Sequence, residues 1–454
     1  MHLHRSFFIQ LSMKFYELIC RILENINTYL LDYLVCFALI FSGIYFTLKL
    51  KFVQIRCFKE GLKTAFGGIF KGDRSSFRSL MTAIGAQVGT GNIVGAASAI
   101  LIGGAGSVFW MWVIAFFGMA TMYSEAVLAQ KFAVYNNGEK KGGPLYYILG
   151  VFKGRWGKIL SKIFAVATVI GLSITGTMVQ SNAVAFSFNE GYRINPGFVG
   201  IVLATLCAFA YLGGSAKLMK MTEKIVPLMS FIFIVSCFIV LMVRAKYLPT
   251  VFGNIFTFAF RPKALLGSTV GISIKTCISQ GVKRGLFSNE AGMGSTPHAH
   301  AVAMVSRPHE QGTVAMIGVF FDTFVILSVT ALVMLSYLCV GANIPSINEN
   351  NLMAFSLQSV LGRGFGSFVL NISLFMFGFT SIVSWNYFGR LNFEYLFSGK
   401  GMFWFYILSI FSTYAGTVIN NKLVWNLSDF ALFFMIMPNL LALFKGRKLL
   451  VWAK

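Results

Sequence analysis

Gly85-Ala86-Gln87-Val88-Gly89-Thr90-Gly91-Asn92-Ile93-Val94-Gly95 is a chargeless run inside a segment apolar enough to cross a bilayer. Each glycine costs a helix about 1 kcal/mol relative to alanine. Four glycines in eleven residues therefore predict a break, not a smooth span. In hydrocarbon, broken backbone is tolerated only where it is buried in protein or lines a cavity. A broken membrane helix carrying a small polar cluster is how transporters commonly build a binding site.

The rest of the composition agrees. Of 454 residues, 56% are hydrophobic and only 12% charged, against about a quarter charged in soluble domains. Mean hydropathy is +0.73. This is an all-α polytopic membrane protein, read as one domain with the lipid bilayer as its surroundings. The net charge of +23 could suggest nucleic acid. The basic residues instead sit in short loops between apolar runs, the positive-inside pattern, so no nucleic-acid partner is expected. Seven scattered cysteines without a CxxC read as small buried apolar residues. No small-residue cleavage site follows the N-terminus, and the helical pattern is complete without residues 1–12, so Met13 would serve as a start.

Runs of about 20 apolar residues mark roughly eleven spans. They cover 31–48, 81–102, 108–132, 163–186, 198–212, 225–243, 270–305, 314–340, 365–387, 402–418 and 423–444. Residues 1–30 are expected to carry an interfacial helix, 31–50 an extra first membrane helix, 76–446 the core and 447–454 a cytoplasmic tail. Lysines and arginines crowd the loops after the first, third and fifth spans and the C-terminal tail. The loop from Arg244 to Lys263 is the exception. The balance places the N-terminus outside and the C-terminus in the cytoplasm. The second and seventh spans lie five apart, run in opposite directions and are both interrupted. That pattern marks an inverted-repeat transporter of five plus five helices.

The second interruption reads Gln280-Gly281-Val282-Lys283-Arg284-Gly285-Leu286-Phe287-Ser288-Asn289-Glu290-Ala291-Gly292-Met293-Gly294-Ser295-Thr296-Pro297-His298-Ala299-His300. Together with Val88 to Ile93 it resembles the alanine or glycine:cation symporter family of the amino acid–polyamine–cation superfamily. Phe109-Trp110-Met111-Trp112, Glu125 to Ala129, Gly142-Gly143-Pro144, Trp425 to Asp429 and Pro438-Asn439-Leu440 match as well, so the resemblance runs from about Phe52 to Leu443. It implies a leucine-transporter-like fold and sodium-coupled uptake of a small neutral amino acid, alanine or glycine, across a bacterial inner membrane, by a monomer that is not an enzyme. Gln87 departs from the family pattern, in which small residues are common there. That leaves the size of the substrate open.

A zwitterion stripped of water needs a partner for each charge. Helix N-termini offer N–H groups and partial positive charge, and C-termini the reverse. Thr90, Gly91 and Asn92 stand where the first broken helix restarts and can take the carboxylate. Carbonyls around Phe287, Ser288 and Asn289 can take the ammonium. Sodium wants hard oxygen ligands. The fold implied by the resemblance places them at Thr380 and Ser381, with carbonyls near Gly85 and Val88. The resemblance also sets Trp385 against the substrate, and Gln180 matches a family motif and is assigned a hydrogen bond to it. One charge crossing about 100 mV yields about 2.3 kcal/mol. A tenfold sodium gradient adds about 1.4 kcal/mol, enough together for several-hundred-fold accumulation.

Plainer readings stand beside these. The glycine run would also suit tight helix packing, and Thr380 and Ser381 would also bond back to their own helix. Glu125, Glu290 and Asp322 are intramembrane carboxylates, either functional or helix-capping; Glu290 can simply support the helix restart. Lys283 and Arg284 are gate residues or plain interfacial ones. His298 and His300, two apart, do not share a helix face and form no metal pair. Four rivals remain: a symporter for glutamine or another larger neutral amino acid, proton coupling, a membrane-embedded enzyme using Glu290 and His298, and a non-transporting sensor.

Overall fold

The computed structural model describes residues 16–69, 74–136, 138–261, 273–341, 347–419 and 421–450. Among these, seven helices are long and apolar enough to cross a bilayer. They are α1 (Tyr16–Lys49), α5 (Gly106–Lys131), α7 (Arg155–Tyr192), α9 (Gly214–Val243), α13 (Pro308–Cys339), α15 (Arg363–Phe397) and the last, α17 (Asn421–Lys445). An eighth span is a bent pair, α3 (Ser75–Gln87) and α4 (Val94–Gly103), with a short 3₁₀ turn at Thr90–Asn92 between them and 58° between the two arms. The break read from the glycine run is therefore present.

The remaining expected spans are helices of another kind. α8 (Pro196–Tyr211) and α16 (Met402–Val418) have 16 and 17 residues. At 1.5 Å per residue they rise about 25 Å, short of a hydrocarbon core of about 30 Å. The expected seventh span divides into α11 (Ile274–Asn289) and the single turn α12 (Pro297–Ala301); its first residues lie outside the described ones. Among the described residues, length and composition alone identify seven or eight crossings and do not establish the eleven expected. The expected interfacial helix and first span form one continuous α1 from Tyr16 onward, and residues 1–15 lie outside the described ones.

The short helices not foreseen include α2 (Phe58–Gly67), α6 (Pro144–Val151), α10 (Leu248–Phe260) and α14 (Leu352–Leu361). A hairpin pairs Val134–Asn136 with Glu139–Lys141. All are too short to register as spans. α10 occupies the loop whose charges opposed the orientation rule. Arg244 there is buried, donates to Ser359 Oγ at 2.5 Å and stacks 5.0 Å over Tyr337.

α5 forms the spine and packs against α1, α11 and α13, while α15 packs across α7, α9 and α3. Three long helices widen locally into π turns, at Thr28–Val35, Val169–Gly176 and Phe320–Leu327. Such widenings frequently mark functional positions. The second brings Gly176 against the Trp385 ring, and the third carries Asp322.

Candidate functional site

The two breaks meet. Gln87, the last residue of α3, donates from Nε2 to the Asn289 carbonyl, the last of α11, at 2.7 Å. A Cβ on Gly91 would touch the Phe287 ring at 3.4 Å. Asp322 binds both sides: its Oδ1 accepts from Asn92 Nδ2 at 2.6 Å and its Oδ2 from Ser288 Oγ at 2.9 Å. Thr323 Oγ1 also donates to Oδ2, and Asn289 Nδ2 donates to Thr323 Oγ1 at 3.2 Å. Asp322, Asn92, Ser288, Asn289 and Thr323 are all buried. Gln87 thus ties one broken helix to the other.

Backbone freed by each break finds local partners, as burial demands. At the first, Gly89 N donates to Asn92 Oδ1 at 3.1 Å, and the Thr90 N–H and hydroxyl both reach Gln180 Oε1, at 3.0 and 2.9 Å. At the second, Glu290 ends α11 in a left-handed conformation (φ 57°) and Gly292 and Gly294 continue at φ 85° and 80°. Glu125 accepts from the N–H groups of both glycines at 3.0 Å and from Asn439 Nδ2 at 2.6 Å. Asn439 Nδ2 also donates to the Gly292 carbonyl, and its Oδ1 accepts from Tyr147. Glu125 thus holds the linker between α11 and α12. Glu290 accepts from Trp385 Nε1 at 2.6 Å and from Ser295 Oγ. Trp385 therefore helps to hold the second break.

Gly294→Ala would place a Cβ 2.9 Å from Phe164 at a backbone angle alanine rarely adopts. Strain of this kind costs more than about 1 kcal/mol. The purified variant is expected to unfold at lower temperature than wild type in detergent; an unchanged melting profile would contradict the tight linker.

The hydroxyl cluster forms on the other side of the first break. Ser381 Oγ donates to the carbonyls of Gly85 at 3.1 Å and Ala86 at 3.3 Å. Thr380 Oγ1 bonds back to Met376 and Phe377, at 2.9 and 3.1 Å. A Cβ on Gly85 would lie 3.6 Å from Thr380 Cβ and 3.2 Å from Ser384 Oγ. The Ser384 hydroxyl is buried without a protein partner. An unpartnered oxygen among carbonyls and hydroxyls fits a hard monovalent cation. Val88 is buried in the same break, but its carbonyl makes no hydrogen bond to these hydroxyls. Ser384 was not anticipated; it lies one helical turn beyond Ser381 and Thr380, which is the signal that would have found it.

A cavity of about 460 Å³ reaches the break, lined by Thr90, Gly91, Asn182, Arg284, Phe287 and Trp425 among others. Arg284 projects beside Gly95 at its wall. His298 and His300 do not pair. His298 hydrogen-bonds to the Ser295 carbonyl and Asn392 between the rings of Phe164 and Phe388, and His300 bonds Gln311. The arrangement thus offers a buried polar junction where α3 and α11 end, with hydroxyls on one side and a carboxylate on the other.

Several known proteins resemble this chain. The model of the sodium:alanine symporter family matches residues 16–451. The sodium/alanine symporter AgcS of Methanococcus maripaludis is 38% identical over 429 residues, covering 93% of each chain. The probable sodium/glutamine symporter GlnT of Bacillus subtilis is 34% identical over 432 residues, covering 93% of this chain and 88% of that one. Among solved structures, a manganese transporter of Eremococcus coleocola superposes with a TM-score of 0.55 at 12% identity, over 80% of this chain and 76% of that one. That likeness concerns the fold alone.

Proposed function

The chain belongs to the sodium:alanine symporter family, and on that premise we propose that it couples sodium entry to import of a small neutral amino acid, alanine or glycine. The observation that carries this is the contact between the two broken helices, from Gln87 to Asn289 and through Asp322. The substrate carboxylate takes the place of Gln180 Oε1 at the Thr90 N–H and hydroxyl, and Gly91 and Asn92 close around it. The ammonium faces the carbonyl end of α11 at Phe287 and Ser288. Trp385, pinned by Glu290, bounds the side-chain space. Arg284 closes the cavity side.

Sodium, a transported substrate, sits between the Gly85 and Val88 carbonyls and the Thr380 and Ser381 hydroxyls. Ser381 turns its proton away from Gly85 to present a lone pair. Binding there draws the Gly85 end of α3 toward α15 and so fixes the break one turn on, at Thr90. Occupation of one site thereby orders the other, a coupling that must be reciprocal. Ten core helices in two inverted halves, a preceding extra helix, an outside N-terminus, a monomer and a bacterial inner membrane complete the reading.

Labelled alanine uptake into proteoliposomes, competed by each neutral amino acid with and without sodium at fixed pH, tests it. Alanine and glycine are expected to compete best, and only with sodium. Best competition by glutamine would move the assignment toward a larger substrate. Uptake that followed pH and ignored sodium would replace the ion. Thr380→Ala with Ser381→Ala is expected to remove sodium dependence; if the dependence survived, the ion would lie elsewhere.

A further inference from the structure

Away from the breaks, three side chains of different chemistry converge where α2 crosses the start of α13. Cys57 and Glu60 are three residues apart at the beginning of α2, so they share a face. His309 is the second residue of α13. One ligand atom from each lies within 4.8 Å of the others, and His309 Nε2 is 3.2 Å from Glu60 Oε1. We propose that Cys57, Glu60 and His309 form a binding site for one zinc-class transition-metal ion, which fastens α2 to α13.

Three features beyond proximity support it. Tyr123 Oη lies 2.7 Å from His309 Nδ1. With the proton on Nδ1 donated to the phenol, the Nε2 lone pair faces Glu60 and Cys57. Metal-binding histidines are usually oriented in this way through their other nitrogen. The frame is also fixed: a Cβ on Gly61 would lie 2.5 Å from the Thr313 carbonyl, so the backbones of α2 and α13 touch one turn from the cluster. Gly61 N donates to the Cys57 carbonyl at 2.9 Å. Finally, access is graded. Cys57 is 7% exposed, the His309 side chain 18% and the Glu60 side chain 42%, so an ion entering past Glu60 reaches a sheltered sulfur.

The donor set selects the metal class. Sulfur, imidazole nitrogen and one carboxylate suit zinc or cobalt, whereas sodium, calcium and magnesium prefer oxygen alone. Three protein ligands leave the fourth tetrahedral position to water. Burial and the nearby Glu60 push the Cys57 thiol up, and Arg56 opposes them. On binding, the sulfur–metal bond replaces the S–H bond and the proton passes to solvent. Thiolate and carboxylate together neutralise a divalent ion. None of these residues belongs to the transport site.

Cobalt titration of the untagged, chelator-treated full chain in detergent tests the site. Wild type is expected to show thiolate-to-cobalt charge-transfer absorption saturating at one ion per chain and displaced by zinc. Cys57→Ser is expected to lose that absorption. Glu60→Gln and His309→Gln are each expected to weaken cobalt at least about tenfold. Zinc is expected to raise the unfolding temperature of wild type and not of Cys57→Ser. No thiolate absorption in wild type, or its survival in Cys57→Ser, would overturn the proposal. So would unchanged affinity in the Glu60 and His309 variants, which would leave only an ion pair beside a buried thiol. The half-exposed Glu60 tolerates substitution, so that arm stands even if Cys57→Ser fails to fold.

Discussion

Gly89→Ala is expected to lower sodium-driven alanine uptake by about tenfold or more while leaving a folded, monodisperse protein. Gly89 is extended (φ −118°, ψ −163°), a conformation alanine adopts freely, so backbone strain is not the cause. The cause is space. A Cβ there would lie 2.7 Å from Ser381 Oγ and 3.0 Å from Gln180 Nε2. One methyl group therefore pushes at once on the proposed sodium ligand and on the side chain guarding the carboxylate position. Overpacking of this kind costs about 1–3 kcal/mol, and about 1.4 kcal/mol is a factor of ten. Gly91→Ala is the control: its Cβ meets Phe287 at an ordinary 3.4 Å, so a milder loss is expected. Initial uptake rates against sodium concentration check both. Wild-type rates and sodium dependence in Gly89→Ala would mean that the junction is not the site.

Asp322→Ala carries the second large effect. Its carboxylate accepts from Asn92, Ser288 and Thr323, one donor from the first break, one from the second and one from its own helix. Removing it strands three buried donors, each costing about 1–3 kcal/mol, and releases the two breaks from their common anchor. Uptake is expected to vanish and the unfolding temperature to fall. Asp322→Asn keeps one acceptor oxygen and is expected to fall between, more stable than alanine yet impaired in transport. Near wild-type uptake in Asp322→Ala would remove the anchor from the mechanism.

Much of this was legible because its signals are local. Glycine density at 85–95 announced the first break, and the Ser288 to Thr296 stretch the second, since neither run can stay helical cheaply. Thr380 and Ser381 were legible as adjacent hydroxyls, and they lie beside Gly85. Partnerships across the chain were not legible. Nothing near Gln87 tells that its amide reaches Asn289, 202 residues on, or that Glu125 caps Gly292 and Gly294 from another helix. Asp322 was visible as an intramembrane carboxylate, but the π turn that carries it leaves no periodic signature at that resolution of pattern. Short amphipathic helices such as α2 and α10 escaped because a search for long apolar runs passes over them.

The most direct measurement is alanine binding to the purified protein by titration calorimetry, in sodium and in choline at one pH. The expected result is tighter alanine binding in sodium, a matching increase in sodium affinity with alanine, and loss of that linkage in Ser381→Ala. Equal alanine affinity in sodium and choline would contradict a cation and a zwitterion held side by side at the junction of the two broken helices.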